Sequence, residues 1–339
     1  MSHGSHDDDF YPMPPRLHGA DGAVRRVGVE LEMANAGIGA LAEAVQRLFG
    51  GEIEAQTDYE YAVTGTDHGT WQIELDWSFL RKWARAGREP AAPFDDLVEL
   101  LEDLVRRGSE QFVPYEVVSP PLPMPELESV DRLIAELRAL GAQGTSSELR
   151  YAFGMQINVE LPGLDADTIV SYVKAFACLQ DWLKKRADVD LTRRLTAFAD
   201  LYPADYVRRV VDPDYRPDRS ALIADYLAAN ATRNRALDLL PLFRHLEPDT
   251  VVAAVPDDRV KARPALHYRL PDCRIDRPDW DLRPTWTDWL VVERLAADRE
   301  ALDDLGRRHL EHARAPLKGM LAGGWLARLD DWLAQWHDR

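Results

Sequence analysis

The alternation of apolar and polar side chains divides the chain into strands and helices before any chemistry is considered. Residues 25–33 (RRVGVELEM) alternate with a period of two and predict a strand. Residues 40–49 carry apolar side chains at helical spacing, and Gly50-Gly51 supplies a stop. Residues 52–63 and 70–77 read as two strands joined by a hairpin loop over 65–69. An amphipathic helix is predicted over 93–107, with Phe94, Leu97, Leu101, Leu104 and Val105 on one side. A strand over 112–119 follows, closed by Pro120-Pro121. Beyond it come a helix over 125–140, a strand over 151–161 and a long helix over 165–186. Residues 190–250 read as mostly helical, 264–275 as a late strand, and the chain after Trp286 as helical again. Strands linked by hairpins alternate with strands linked by helices, which predicts an α+β fold with a largely antiparallel sheet.

Composition narrows the class. With 46% hydrophobic and 29% charged residues over 339 positions, the chain can bury a sizeable core and is not of disordered type. No break in pattern marks a linker. The expected organisation is a polar tail over 1–24, one catalytic domain over 25–295 with a helical insertion at about 190–250, and a helical extension over 296–339. The net charge of −17 repels nucleic acid and anionic membrane, so neither is an expected partner. Two cysteines, Cys178 and Cys273, cannot build a disulfide framework or a four-cysteine zinc site. No apolar run approaches the roughly 20 residues of a bilayer span, and the first residues lack the pattern of a signal peptide. A cytoplasmic location is expected.

Chemistry enters through charge placed inside strands. Residues two apart in a strand share a face, so Glu30 and Glu32 point the same way. Glu74 and Asp76 repeat the pattern, and Glu116 sits among valines. Paired carboxylates repel unless a cation lies between them, and hard oxygen ligands suit Mg²⁺ or Mn²⁺. Gln156, Asn158 and Glu160 share a face of the next strand, His267 and Arg269 a face of the late one, and Asp272 and Arg274 follow it. A sheet lined in this way could hold metal ions and a polyanion. A sheet with one merely solvated face has the same periodicity. P-loop, Rossmann and HExxH signatures are absent from the sequence. The segment 141–147 contains glycine but follows a helix, and reads as a loop, with a mobile lid near the site as the alternative.

Five segments in this order, GVELEM (28–33), WQIELDWS (71–78), YEVVSPPL (115–122), FGMQINVEL (153–161) and YRLPDCR (268–274), resemble the amidoligase family. These are ATP-dependent carboxylate–amine ligases related to glutamate–cysteine ligase, with a glutamine-synthetase-type catalytic fold. The resemblance covers roughly residues 20–295. It implies a curved, mainly antiparallel sheet as the floor of an active site that binds ATP with Mg²⁺ or Mn²⁺. It implies Glu30 and Glu32 as metal ligands, and Asp76 and Glu116 as further ligands or contacts to the amine. Gln156 and Asn158 stand where related ligases often carry histidines, which favours hydrogen bonding to nucleotide or substrate over metal binding. Arg269 and Arg274 would hold phosphate or the substrate carboxylate.

The activity so implied forms an amide or isopeptide bond through an acyl phosphate, on an amino acid, peptide or peptide-like metabolite. A separate glutaminase could supply ammonia, and homo-oligomers are compatible with the fold. Two other readings remain open at this level. One is a guanidino or amine phosphotransferase of the same fold. The other is a degenerate, non-catalytic nucleotide- or ligand-binding protein.

Overall fold

The computed structural model describes residues 11–76, 113–145, 153–187, 199–314 and 324–337. The helix expected over 93–107 lies outside them. A nine-stranded, open sheet organises the described residues, in the order β2-β3-β4-β5-β1-β7-β9-β8, and β6 pairs with the first part of β1. Its strands are β1 (Arg26–Met33), β2 (Glu52–Thr57), β3 (Glu60–Thr66), β4 (Gly69–Leu75), β5 (Tyr115–Val118), β6 (Leu122–Pro123), β7 (Met155–Glu160), β8 (Leu237–Asp238) and β9 (Ala265–Tyr268). Every pairing between them is antiparallel. The α+β class with an antiparallel sheet therefore holds.

Period-two alternation decides which face is which. Val27, Val29, Leu31 and Met33 of β1 are all but fully buried, as are Val117, Ile73, Ile157 and Val159 on the neighbouring strands. This apolar face is covered by helices. On one side lie α1 (Ile38–Phe49) and α2 (Glu128–Ala139), with Phe49 stacked on Trp71 at 4.4 Å. On the other lies α3 (Ala166–Arg186), which is buried on every side from Tyr172 to Gln180 because it is itself enclosed. Around α3 pack α4 (Ala204–Val210), α5 (Arg219–Asn230), α8 (Arg283–Ala297), α9 (Arg299–Arg314) and α10 (Gly324–His337). Two short helices, α6 (Leu240–Leu246) and α7 (Pro248–Ala254), connect β8 to the segment before β9. Asp165 caps α3 by accepting from the Thr168 N–H at 2.9 Å.

Three expectations change in detail. The strand over 52–63 is two strands, because a two-residue turn at Asp58-Tyr59 folds it into a hairpin, with the Tyr59 N–H donating to Thr57 Oγ1. The helical stretch over 190–250 contains β8, which extends the sheet beyond β9. The late strand stops at Tyr268, and residues 269–275 continue as irregular chain that still bonds to Phe153 and Thr145. The residues read as a tail include Tyr11, which is buried with its hydroxyl on Asp131 Oδ2 at 2.7 Å, and Pro12, whose carbonyl accepts from Trp286 Nε1. Trp332 and Trp336 stack on one another, and their indoles donate to Asp304 of α9 and to Asp298, the residue between α8 and α9.

A buried ion pair ties the entry of β1 to α8. Arg25 and Glu293, each 1% exposed, meet through two hydrogen bonds at 2.7 and 3.0 Å. Arg25 spends its remaining donors on the carbonyls of Glu160 and Arg16. Tyr172 and Trp289 donate to the same Glu293 carboxylate. Removing one partner strands a charge in the core. Glu293→Ala is expected to lose about 3–5 kcal/mol of stability, measured as a lowered midpoint of urea unfolding.

Candidate active site

The other face of the sheet carries the polar residues, and strand register sets their neighbours. Glu74 of β4 is directly opposite Glu116 of β5, and Glu116 is directly opposite Glu32 of β1. Glu60 of β3 extends this row beyond Glu74. One step along the strands, Glu30 is paired with Gln156 of β7. Two residues further along β7, Asn158 is opposite His267 of β9, which is opposite Asp238 of β8. Acid thus collects at the β4–β5–β1 end of the face.

A cavity of about 370 Å³ opens over it. Glu30, Glu74, Asp76 and Glu116 line one part. Arg233, Arg259, Lys261, Arg263, His267 and Arg269 line the other. The basic side comes from the chain before β8, the segment between α7 and β9, and the end of β9. Sequence reading found the acids through their strand spacing. It missed Arg233, Arg259, Lys261 and Arg263, which lie in irregular segments where no periodicity signals orientation.

Some of these charges are answered by the protein. Glu30 Oε1 accepts from Asn158 Nδ2 at 2.6 Å and lies 3.5 Å from Arg263 Nη1. Glu32 accepts from the Gly154 N–H at 2.6 Å and from Gln156 Nε2 at 3.3 Å. Gln156 in turn accepts from Arg269, which also reaches Asp238 Oδ2 at 3.3 Å. Gln156 therefore serves as an amide link between Glu32 and Arg269, while Asn158 donates to Glu30 and its own Oδ1 has no hydrogen-bond partner among the described residues. The carboxylates of Glu74 and Glu116 have no hydrogen bond or ion pair among the described residues. Burial pushes the Glu116 carboxyl well above the usual carboxylate range, and Glu30, Asp76, Glu32 and Glu74 push it further. Glu74 is raised for the same reasons, burial first and then Glu60, Glu30 and Asp76.

Arg274 stands apart from the cavity lining, 3.4 Å from Asp272 on the irregular segment after β9. Cys273 is fully buried. Residues Gly141–Thr145 of the glycine-containing loop are tied down. Gln143 exchanges two backbone hydrogen bonds with Ala34, and Thr145 bonds to Cys273 and Phe153.

Residues 23–291 match the model of a family described as putative amidoligase enzyme. The chain belongs to the amidoligase family. No curated protein and no solved structure matches it. The matched span contains every strand of the sheet and every residue that lines the cavity, while α9 and α10 lie beyond it.

The donor set of this amidoligase suits a divalent cation in chemistry. Hard carboxylate oxygens are crowded, and two of the carboxylates are unpaired. They are not drawn into a closed cluster: among the described residues no three His, Cys, Asp or Glu side chains form a ready metal-holding group. Repulsion across the row gives a test without any ligand. Because the folded-state pKa of Glu116 is raised, its contribution is neutral below the unfolded value, grows destabilising as pH rises above that value, and is complete once pH has passed the folded value. Glu116→Gln is expected to stabilise the metal-free protein at pH 7.5 by about 1 kcal/mol, the scale of two directly opposed like-charge pairs. Thermal melting across pH 4–8 should show the gain shrink towards pH 4.

Proposed function

We propose that the protein is an ATP- and Mg²⁺-dependent ligase that joins a carboxylate to an amine through an acyl phosphate. The observation that carries this reading is the cavity lined both by the carboxylates of Glu30, Glu74, Asp76 and Glu116, of which Glu74 and Glu116 have no hydrogen bond or ion pair among the described residues, and by arginines and a lysine. Membership of the amidoligase family supports the reaction class.

Each part of the chemistry has residues suited to it. A carboxylate cannot expel oxide, so it must first take a phosphoryl group from ATP. Its oxygen attacks the γ-phosphorus, ADP leaves, and an amine then displaces phosphate from the acyl carbon. Charge on the phosphoryl oxygens would be met by Arg233, Arg259, Lys261 and Arg263. Glu30, Glu32 and Glu116 are the groups that would hold Mg²⁺, which when bound shields the nucleotide phosphates and orients them. Asp76, buried at the acidic end, or Glu116 would take the proton that the attacking amine loses. Arg269 would act beside the phosphates while anchored by Gln156 and Asp238. Arg274 lies outside the cavity lining, beside Asp272.

Calorimetric titration with ATP, with and without Mg²⁺, tests the reading. Wild type is expected to bind only with metal, and a folded Glu30→Gln/Glu32→Gln variant to lose at least about tenfold in affinity, since each change removes a charged contact. A folded wild type that binds no Mg²⁺·ATP would overturn the proposal. Where binding holds, ADP release that needs both an acid and an amine supports a ligase. Release that needs an amine alone would mark a phosphotransferase.

A further inference from the structure

His267 is 4% exposed and lines the basic side of the cavity, yet its Nε2 has no hydrogen-bond partner. A buried polar atom left in this state is costly, and native proteins rarely leave one without use. Its other nitrogen fixes the chemistry. Arg269 Nη2 approaches His267 Nδ1 at 3.4 Å, and a guanidinium can only donate. Nδ1 is therefore the acceptor, and the proton sits on Nε2. Burial first, and then Arg269, Arg263 and Arg233, hold the ring neutral. The result is an uncharged N–H donor without a partner, on a buried residue that lines the cavity.

The charge that such a donor would accompany is also present. Arg233 lines the same cavity and has no carboxylate within ion-pair distance among the described residues. Arg259 differs, being engaged by Asp257 at 2.6 Å. Arg263 shares its charge with Glu30, and Lys261 stands exposed at the edge. The same lining thus offers one guanidinium with no carboxylate within ion-pair distance among the described residues and one N–H without a partner.

We propose that Arg233 and His267 form an oxyanion subsite, in which Arg233 supplies charge and His267 Nε2–H supplies a directional hydrogen bond. Arg269 acts as a positioning residue for it. Asp238 and Gln156 hold the guanidinium of Arg269, and the guanidinium sets the tautomer of His267. The bound group is a carboxylate or a phosphate. The inference deepens the ligase reading and rests on it for those two sources, one the acid substrate and the other the nucleotide.

The experiment uses the full chain labelled with ¹⁵N-histidine, with inorganic phosphate, Mg²⁺·ADP and L-glutamate as probes. The free protein should show His267 with Nε2 protonated and Nδ1 bare, and a binding probe should shift the Nε2 signal. Calorimetry should then show Arg233→Gln and His267→Phe weakening that probe about tenfold or more, while His267→Gln, which can keep an N–H donor, retains most of the affinity. Loss for phosphate and Mg²⁺·ADP identifies the nucleotide as the source, and loss for L-glutamate alone identifies the acid. If His267→Phe unfolds, Arg233→Gln carries the test, since Arg233 is only partly buried. Equal affinity of wild type and folded variants for every probe would overturn the subsite, as would the absence of binding by all three. Mg²⁺·ATP binding that still depends on Glu30 and Glu32 would then leave the ligase reading standing without it.

Discussion

Antiparallel register is the constraint on which the rest of the site depends. It places Glu74, Glu116 and Glu32 directly opposite one another across three adjacent strands, at a spacing where like charges repel. The sheet cannot slip to relieve this. A shift of one residue would turn Val29, Leu31, Val117 and Ile73 out of the core and bring glutamates into it. Apolar burial on one face therefore holds the carboxylates together on the other. The fold supplies some compensation through Asn158, the Gly154 N–H and Gln156, and these reach only the glutamates of β1. Repulsion along β4 and β5 is left in place, as expected of a site whose charge is completed by something that binds.

The basic side follows from the same architecture. Strands β8 and β9 continue the sheet past β7, and the segments flanking them bring four cations over the floor laid by β1, β4 and β5. Two ends of opposite charge then face one cavity, which suits a ligand combining phosphates with metal. The chain as a whole carries a net charge of −17, so an anion gains nothing from the long-range field and relies on this local wall. The Gln156–Arg269–Asp238 chain fixes one arginine in orientation, while Arg233 keeps its charge unspent.

What could be read from the sequence divides along physical lines. Glu30, Glu32, Glu74, Asp76 and Glu116 were legible because strand periodicity fixes the side on which a residue emerges, whatever the strand pairs with. Their assembly on adjacent strands was not readable from periodicity, since strand order is a tertiary property, and it came in only through the family resemblance. Arg233, Arg259, Lys261 and Arg263 were illegible because irregular chain has no period. Arg274 entered only through the family resemblance, and it lies on the irregular chain after β9, which ends at Tyr268. The hairpin at Asp58 escaped notice because polar and apolar residues keep alternating through the turn. His267 could be placed on one strand face with Arg269, and the sequence left a site role and a merely packed or solvated histidine equally open. Only the contact from Arg269 and the orphan Nε2 give it a chemical meaning.

The central claim is that one sheet face holds metal at its acidic end and nucleotide phosphate at its basic end. The most direct test is a crystal structure with Mg²⁺ and the β,γ-imido analogue of ATP. The account predicts metal density against Glu30, Glu32 or Glu116, with the phosphates running towards Arg233 and Arg263. Nucleotide bound away from this cavity, or metal held without any of these carboxylates, would contradict it.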